Sequence, residues 1–172
     1  MTNKKNGKRE LIIKAAINSF RRYGYLKTTF GDIAKEAGVS RALIYSHFKD
    51  KRDLFISLNS NLQDRWFAMS EAIVKSDSSD YEKLSKIIDI WIIDSYHNIR
   101  NGAYGNQILD GLVNISDINE KRFRKLFINS IQPIVGEDTA ELVVFSIRGL
   151  MGDRPPVKTL QRRIALLIEK VV

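Results

Sequence analysis

Thr28-Thr29-Phe30-Gly31-Asp32-Ile33-Ala34-Lys35-Glu36-Ala37-Gly38-Val39-Ser40-Arg41-Ala42-Leu43-Ile44-Tyr45-Ser46-His47-Phe48-Lys49-Asp50-Lys51 is the stretch on which the reading of this chain turns. It divides into two short helical segments around a glycine. Thr28 or Thr29 caps the first, with Asp32 placed to favour its positive end. Taking Ala34 as the small residue that lets two helix backbones approach, Gly38 follows four positions later and Ile44 ten positions later. Gly38 can take the positive φ of a tight turn, while Ile33, Val39, Ile44 and Phe48 fill a small core. The spacing predicts a helix-turn-helix whose second helix enters a DNA groove.

The charge distribution points the same way. Residues 1–53 hold 13 Lys and Arg against 5 Asp and Glu, whereas residues 54–172 hold 15 of each sign. The whole net charge of +8 therefore lies on the segment with the motif. A basic protein in general needs no nucleic acid, but an excess confined to one end suits phosphate neutralisation and counterion release.

Outward from the motif, the apolar spacing is helical throughout. The three prolines, at 133, 155 and 156, leave long stretches uninterrupted, and strand-like alternation with hairpin turns is missing. Helix 1 is expected from Lys8 to Tyr23, burying Leu11, Ile12, Ala15, Ala16, Ser19, Phe20 and Tyr23 and stopping at Gly24. A long helix follows Phe48 toward Val74 through Leu54, Phe55, Leu58, Leu62, Trp66 and Met69. It ends in Ser76-Asp77-Ser78-Ser79-Asp80, the best linker candidate. Further helices are expected near 81–100, 104–114, 117–132, 137–151 and 157–171. The fold class is thus all-α: a three-helix helix-turn-helix DNA-binding domain over residues 1–53, then a second helical domain over 54–172.

Composition excludes other classes. With 44% hydrophobic and 28% charged residues the chain suits a soluble globular protein rather than a disordered one. No apolar run approaches the ~20 residues of a membrane span, since Ile87 to Ile93 is interrupted by Asp89 and closed by Asp94. The basic start runs into an amphipathic stretch and not a signal-peptide core, so a cytoplasmic location is expected. With no cysteine, and only His47 and His97 as histidines, neither a thiolate nor a histidine metal cluster is expected, and no cofactor. Phosphate-binding glycine loops, nucleophile elbows and paired histidine motifs are also lacking, so the chain is not read as an enzyme.

Thr28-Thr29 before the first motif helix, Ile33-Ala34-x-x-Ala37-Gly38-Val39-Ser40 through the turn, and Ile44-Tyr45-x-His47-Phe48-x-x-Lys51-x-x-Leu54 after it resemble the TetR family of one-component transcriptional regulators. The resemblance covers about residues 9 to 58; beyond it only helical character and length agree. It implies a homodimer bound to a palindromic operator on double-stranded DNA. It also implies phosphate contacts from Thr29, Tyr45, His47 and Lys51, whose chemistry suits the role. Ser40, Arg41, Ala42 and Leu43 open the recognition helix. Arg41 is the leading candidate for a fork onto guanine, with phosphate contact or solvent as equal rival. Ala42 would touch a thymine methyl or simply allow close docking, and Leu43 would contact thymine or pack in the core. Lys4, Lys5, Lys8 and Arg9 read as an arm along the DNA or as a solvated tail.

To the helical domain over 54–172 the resemblance assigns ligand binding and dimerisation, with a dimer through the last two helices and a pocket between the middle ones for a small-molecule effector. Aromatic content nominates Trp66, Trp91, Tyr96, His97, Tyr104, Gln107 and Phe123 as effector-binding, although such residues more often form core. Asp94, His97 and Asn98 form either a polar ligand contact or a hydrated patch. The expected function is a repressor released by its effector; the alternative is a regulator whose C-terminal domain binds a protein partner, with no small-molecule effector.

Overall fold

The computed structural model of the chain describes residues 2–100 and 117–172, and within them the fold is helical. In chain order the helices are α1 (Thr2–Tyr23), α2 (Phe30–Ala37), α3 (Arg41–Tyr45), α4 (Lys51–Val74) and α5 (Asp80–Ile88). A π-helical segment, Asp89–Ile93, leads into α6 (Asp94–Arg100); α7 (Asp117–Val135), α8 (Glu137–Leu150) and α9 (Val157–Ile168) complete the order. The helix expected near 104–114 lies outside the described residues. The described residues fall into two compact units, 2–61 with 98–100, and 62–97 with 117–172.

In the first unit α1 packs on α2, and α2 on α3. Ile12, Ala16, Ile33, Ile44 and Leu54 are completely buried, and Phe48 nearly so. Three aromatic rings, Phe20, Tyr25 and Phe55, lie within 5.0–5.8 Å of one another beside this core. Two expectations for α1 need correction. Leu11 and Tyr23 are each 41% exposed, and Ile13 is buried instead. The helix also begins at Thr2 rather than Lys8, so the backbone of Lys4, Lys5, Lys8 and Arg9 is neither an extended arm nor a loose tail. Arg9 is half-buried, its guanidinium 5.2 Å from the Phe48 ring centroid. An apolar contact for its stem and a cation–π contact for its head account for that position.

The second unit is built around Trp91. Leu84, Ile87, Ile88, Trp91, Ile92, Ile93 and Tyr96 are all buried, which makes three consecutive residues of the segment point inward. A uniform α-helix would spread three successive side chains over about 200° of its circumference. The wider turn of Asp89–Ile93 keeps them on the core side, which explains why the helix expected over 81–100 is interrupted. The Trp91 ring stacks on Phe127 at 5.3 Å and 18°, with Trp66 and Phe123 at 5.5 and 5.3 Å. Its indole N–H donates to Ser70 Oγ at 2.9 Å.

α7 packs on α8 and α5, while α9 packs on α8, α5 and the π segment. A single residue, Gly136 at φ 82°, turns α7 into α8, and its amide still bonds to Gln132 O. The connection from α8 to α9 is held by Arg163, which forks onto both Asp153 oxygens at 2.7 and 2.9 Å and donates to Leu150 O. The Tyr96 hydroxyl donates to Pro155 O at 2.6 Å in the same connection.

Candidate DNA-binding surface

The helix-turn-helix is organised by short-range chemistry at each of its ends. Thr29 is the N-cap of α2 in a complete capping box: its Oγ accepts from Asp32 N, while its own amide and hydroxyl donate to Asp32 Oδ2 at 2.8 and 2.7 Å. Those two donors hold the Asp32 carboxyl below the usual carboxylate range. α2 ends at Gly38, φ 64°, whose amide bonds back to Ala34 and Lys35 carbonyls. A side chain here would meet open space, so the requirement for glycine is the left-handed backbone and not room. Two residues on, Ser40 caps α3 by accepting from Leu43 N at 3.2 Å. Ser46 closes the other end by donating to Leu43 O at 2.8 Å.

These caps present a short helix with one face inward and one outward. Ile44 is the buried residue of α3; Ser40, Arg41, Ala42 and Tyr45 are exposed, and Leu43 is half-buried. Arg41 has no hydrogen bond or ion pair among the described residues, which leaves its guanidinium fork available. Tyr45 is 55% exposed yet its ring edge packs on Phe30 at 5.0 Å, which fixes where the hydroxyl projects. His47 is half-buried, 6.2 Å from Phe48 between ring centroids. Thr29 is exposed, but its hydroxyl proton is already engaged by Asp32.

Lys51 is engaged within the chain itself. Its ammonium donates to three backbone carbonyls, Tyr25 O at 2.8 Å, Leu26 O at 3.1 Å and Thr28 O at 2.9 Å. An alkylammonium has three N–H donors, so none is left to offer a phosphate. Burial draws its pKa below the ordinary lysine value. The motif shows that a lysine stands at this spacing, but its partners lie 23 to 26 residues earlier in the chain, beyond the reach of local pattern.

Comparison with known proteins agrees with this geometry. The model of the tetR family of bacterial regulatory proteins matches residues 12–58, which spans the second half of α1, α2, α3 and the start of α4. Residues 12–58 therefore form a domain of the tetR type. The HTH-type transcriptional regulator AcrR of Shigella flexneri is 51% identical over 47 residues, 27% of this chain and 22% of that protein. The fatty acid metabolism regulator protein of Bacillus subtilis is 35% identical over 77 residues, 45% of this chain and 40% of that one. The matched stretch therefore spans less than half the length of either relative. Among solved structures, a TetR transcriptional regulator from Legionella pneumophila aligns with a TM-score of 0.72 at 21% identity, covering 95% of this chain and 96% of that one. At such identity the likeness is one of fold.

The second unit places the nominated effector residues unequally. Trp91 and Tyr96 are 1% and 3% exposed, with their polar atoms bonded to Ser70 and Pro155, so both are core and not pocket wall. Trp66 is half-buried against Trp91, and His97 is exposed. Tyr104 and Gln107 lie outside the described residues, as does the Asn98 side chain. Phe123 alone of the described candidates borders a cavity, of about 230 Å³ between α7 and α8. Ile92, Phe127, Val144, Phe145 and Met151 supply apolar wall, with Glu120, Arg124 and Arg148 also lining it. Aromatic content alone could not find this cavity, because its wall mixes aliphatic, aromatic and charged side chains brought together by helix packing.

Proposed function

We propose that this TetR-family regulator binds a palindromic operator as a homodimer and acts as a repressor released by a small organic effector. The observation that carries the reading is the start of α3. Arg41 and Ala42 stand exposed there on a capped turn, within the segment that holds the whole net positive charge. In the major groove a guanidinium reads guanine O6 and N7 together, a discrimination of about 1–3 kcal/mol.

The test is fluorescence anisotropy against an operator selected from the genome and a scrambled duplex at matched salt. Arg41→Ala is expected to weaken operator binding by roughly 5- to 150-fold and leave scrambled-DNA binding unchanged. Equal affinity of the wild-type protein for both duplexes would remove the claim of specific regulation.

Palindromic recognition asks for a two-fold partner, and the surface of α8 and α9 supports one. Leu142 and Phe145 on α8 are 66% and 51% exposed, and Leu166 on α9 is 54% exposed. Large apolar groups clustered on two helices suit burial against a second copy. The double variant Leu142→Glu/Phe145→Glu is expected to sediment as a folded monomer and lose operator binding. A variant that stays dimeric would place the interface elsewhere.

The effector reading rests on the cavity between α7 and α8, whose apolar wall suits a small organic molecule of modest polarity. Its action would be a population shift toward a geometry that does not fit the operator. No helix among the described residues is long and apolar enough to cross a membrane. The proposed place of action is the cytoplasm, where the operator lies.

A further inference from the structure

The carbonyls that receive the Lys51 ammonium belong to residues 25–28, the connection that runs into the N-cap of α2. No backbone amide among the described residues is bonded to these three oxygens. Left alone they would be convergent acceptors, those of Tyr25 and Thr28 partly buried, which is costly. The ammonium satisfies all three and also lies 4.7 Å from the Tyr25 ring centroid, a cation held by dipoles and a π face together.

The position of Lys51 in the chain gives this cradle a purpose. It is the first residue of α4, so it follows the helix-turn-helix directly, whereas residues 25–28 precede it directly. We infer that Lys51 is a positioning residue: its ammonium closes the segment 29–50 at its base, holding α2 and α3 in the orientation that presents Arg41 and Tyr45, and makes no phosphate contact of its own. This rests on the DNA-binding reading for its functional consequence. The clamp itself is a property of the free protein.

A clamp and a phosphate-binding lysine leave different signatures. Each phosphate that a protein no longer neutralises lowers the slope of log K against log salt by about 1. Removing a clamp weakens specific and non-specific binding through misplacement of other groups and leaves the ion count as it was. In addition, Lys51→Ala leaves a three-carbonyl cradle of ammonium size, open to a small free cation.

The experiment uses the full chain. Lys51→Ala is expected to weaken operator binding by about tenfold or more, with the salt slope of the wild-type protein. Adding n-propylammonium chloride is expected to recover most of that affinity, while sodium chloride at equal ionic strength does not. A slope lower by about 1 with normal helicity would overturn the clamp in favour of phosphate binding. Equal effects of the two salts would overturn it as well.

Should Lys51→Ala fail to fold, the wild-type protein labelled with ¹⁵N at lysine decides the matter. The Lys51 ammonium protons are expected to exchange slowly with water in free protein and to keep their resonance on adding operator. Fast exchange in the free protein would overturn the inference. If instead wild-type protein shows no preference for any DNA, the regulator reading fails while slow ammonium exchange still upholds the clamp.

Discussion

Replacing Trp91 with alanine is expected to destabilise the second compact unit by about 3–5 kcal/mol, a large part of a domain stability of the order of 5–15. The ring is 1% exposed and has neighbours on several sides: Phe127 stacked at 5.3 Å, Phe123 at 5.3 Å and Trp66 at 5.5 Å. Its removal opens a cavity that rigid helices cannot collapse into. It also strips the donor from Ser70, a buried hydroxyl whose own proton is committed to Trp66 O at 2.8 Å. Trp91→Phe separates the two effects. Phenylalanine keeps most of the packing and loses the hydrogen bond, so a cost of about 1 kcal/mol is expected. Urea unfolding followed by circular dichroism gives both values, and an unchanged midpoint for Trp91→Ala would contradict the packing described.

A second large loss is expected from Ile44→Ala, this time with little effect on the second unit. Ile44 is completely buried in α3, with Ile33 and Leu54 equally buried and Phe48 nearly so in the same small unit. Truncation costs about 2–5 kcal/mol. At roughly 0.05–0.15 kcal/mol per residue, a unit of this size has little beyond that to lose. Operator binding should vanish and helicity fall, while tryptophan emission keeps its native wavelength. The chain has two tryptophans, and both Trp66 and Trp91 lie in the second unit, so emission reports on that unit alone. Retained operator affinity would show that Ile44 does not hold α3 in place.

Much of the first unit is legible in the sequence because its determinants are local. The Thr29 cap, the left-handed turn at Gly38 and the inward side of Ile33 and Ile44 all depend on neighbours within about one helical turn, where residue type and spacing suffice. The role of Lys51 is not legible, since its carbonyl partners are backbone groups, which every residue carries, brought close by the fold. In the second unit the helices expected at 117–132, 137–151 and 157–171 lie close to the observed limits of 117–135, 137–150 and 157–168. Trp91 and Tyr96 stand among the pocket candidates because a buried aromatic and a ligand-facing one look alike in a sequence. Only the partners of their polar atoms, Ser70 and Pro155, tell them apart.

The π-helical segment Asp89–Ile93 also bears on which length changes this chain can accept. Such a segment holds one residue more than the neighbouring α-helix needs, and its wide turn absorbs that residue so that Leu84, Ile87 and Ile88 before it and Tyr96 after it face one core. Deleting a residue between Ile88 and Asp94 would relax the segment into plain α-helix and leave the turns on either side in register, whereas inserting one would rotate one side by about 100°. After the deletion Leu84, Ile87, Ile88 and Tyr96 would keep their inward side, while after the insertion Tyr96 would swing away from Pro155 and release the connection between α8 and α9. A stretch shorter by one residue should therefore be accepted among its descendants and a longer one excluded, even where single substitutions of equal volume are accepted.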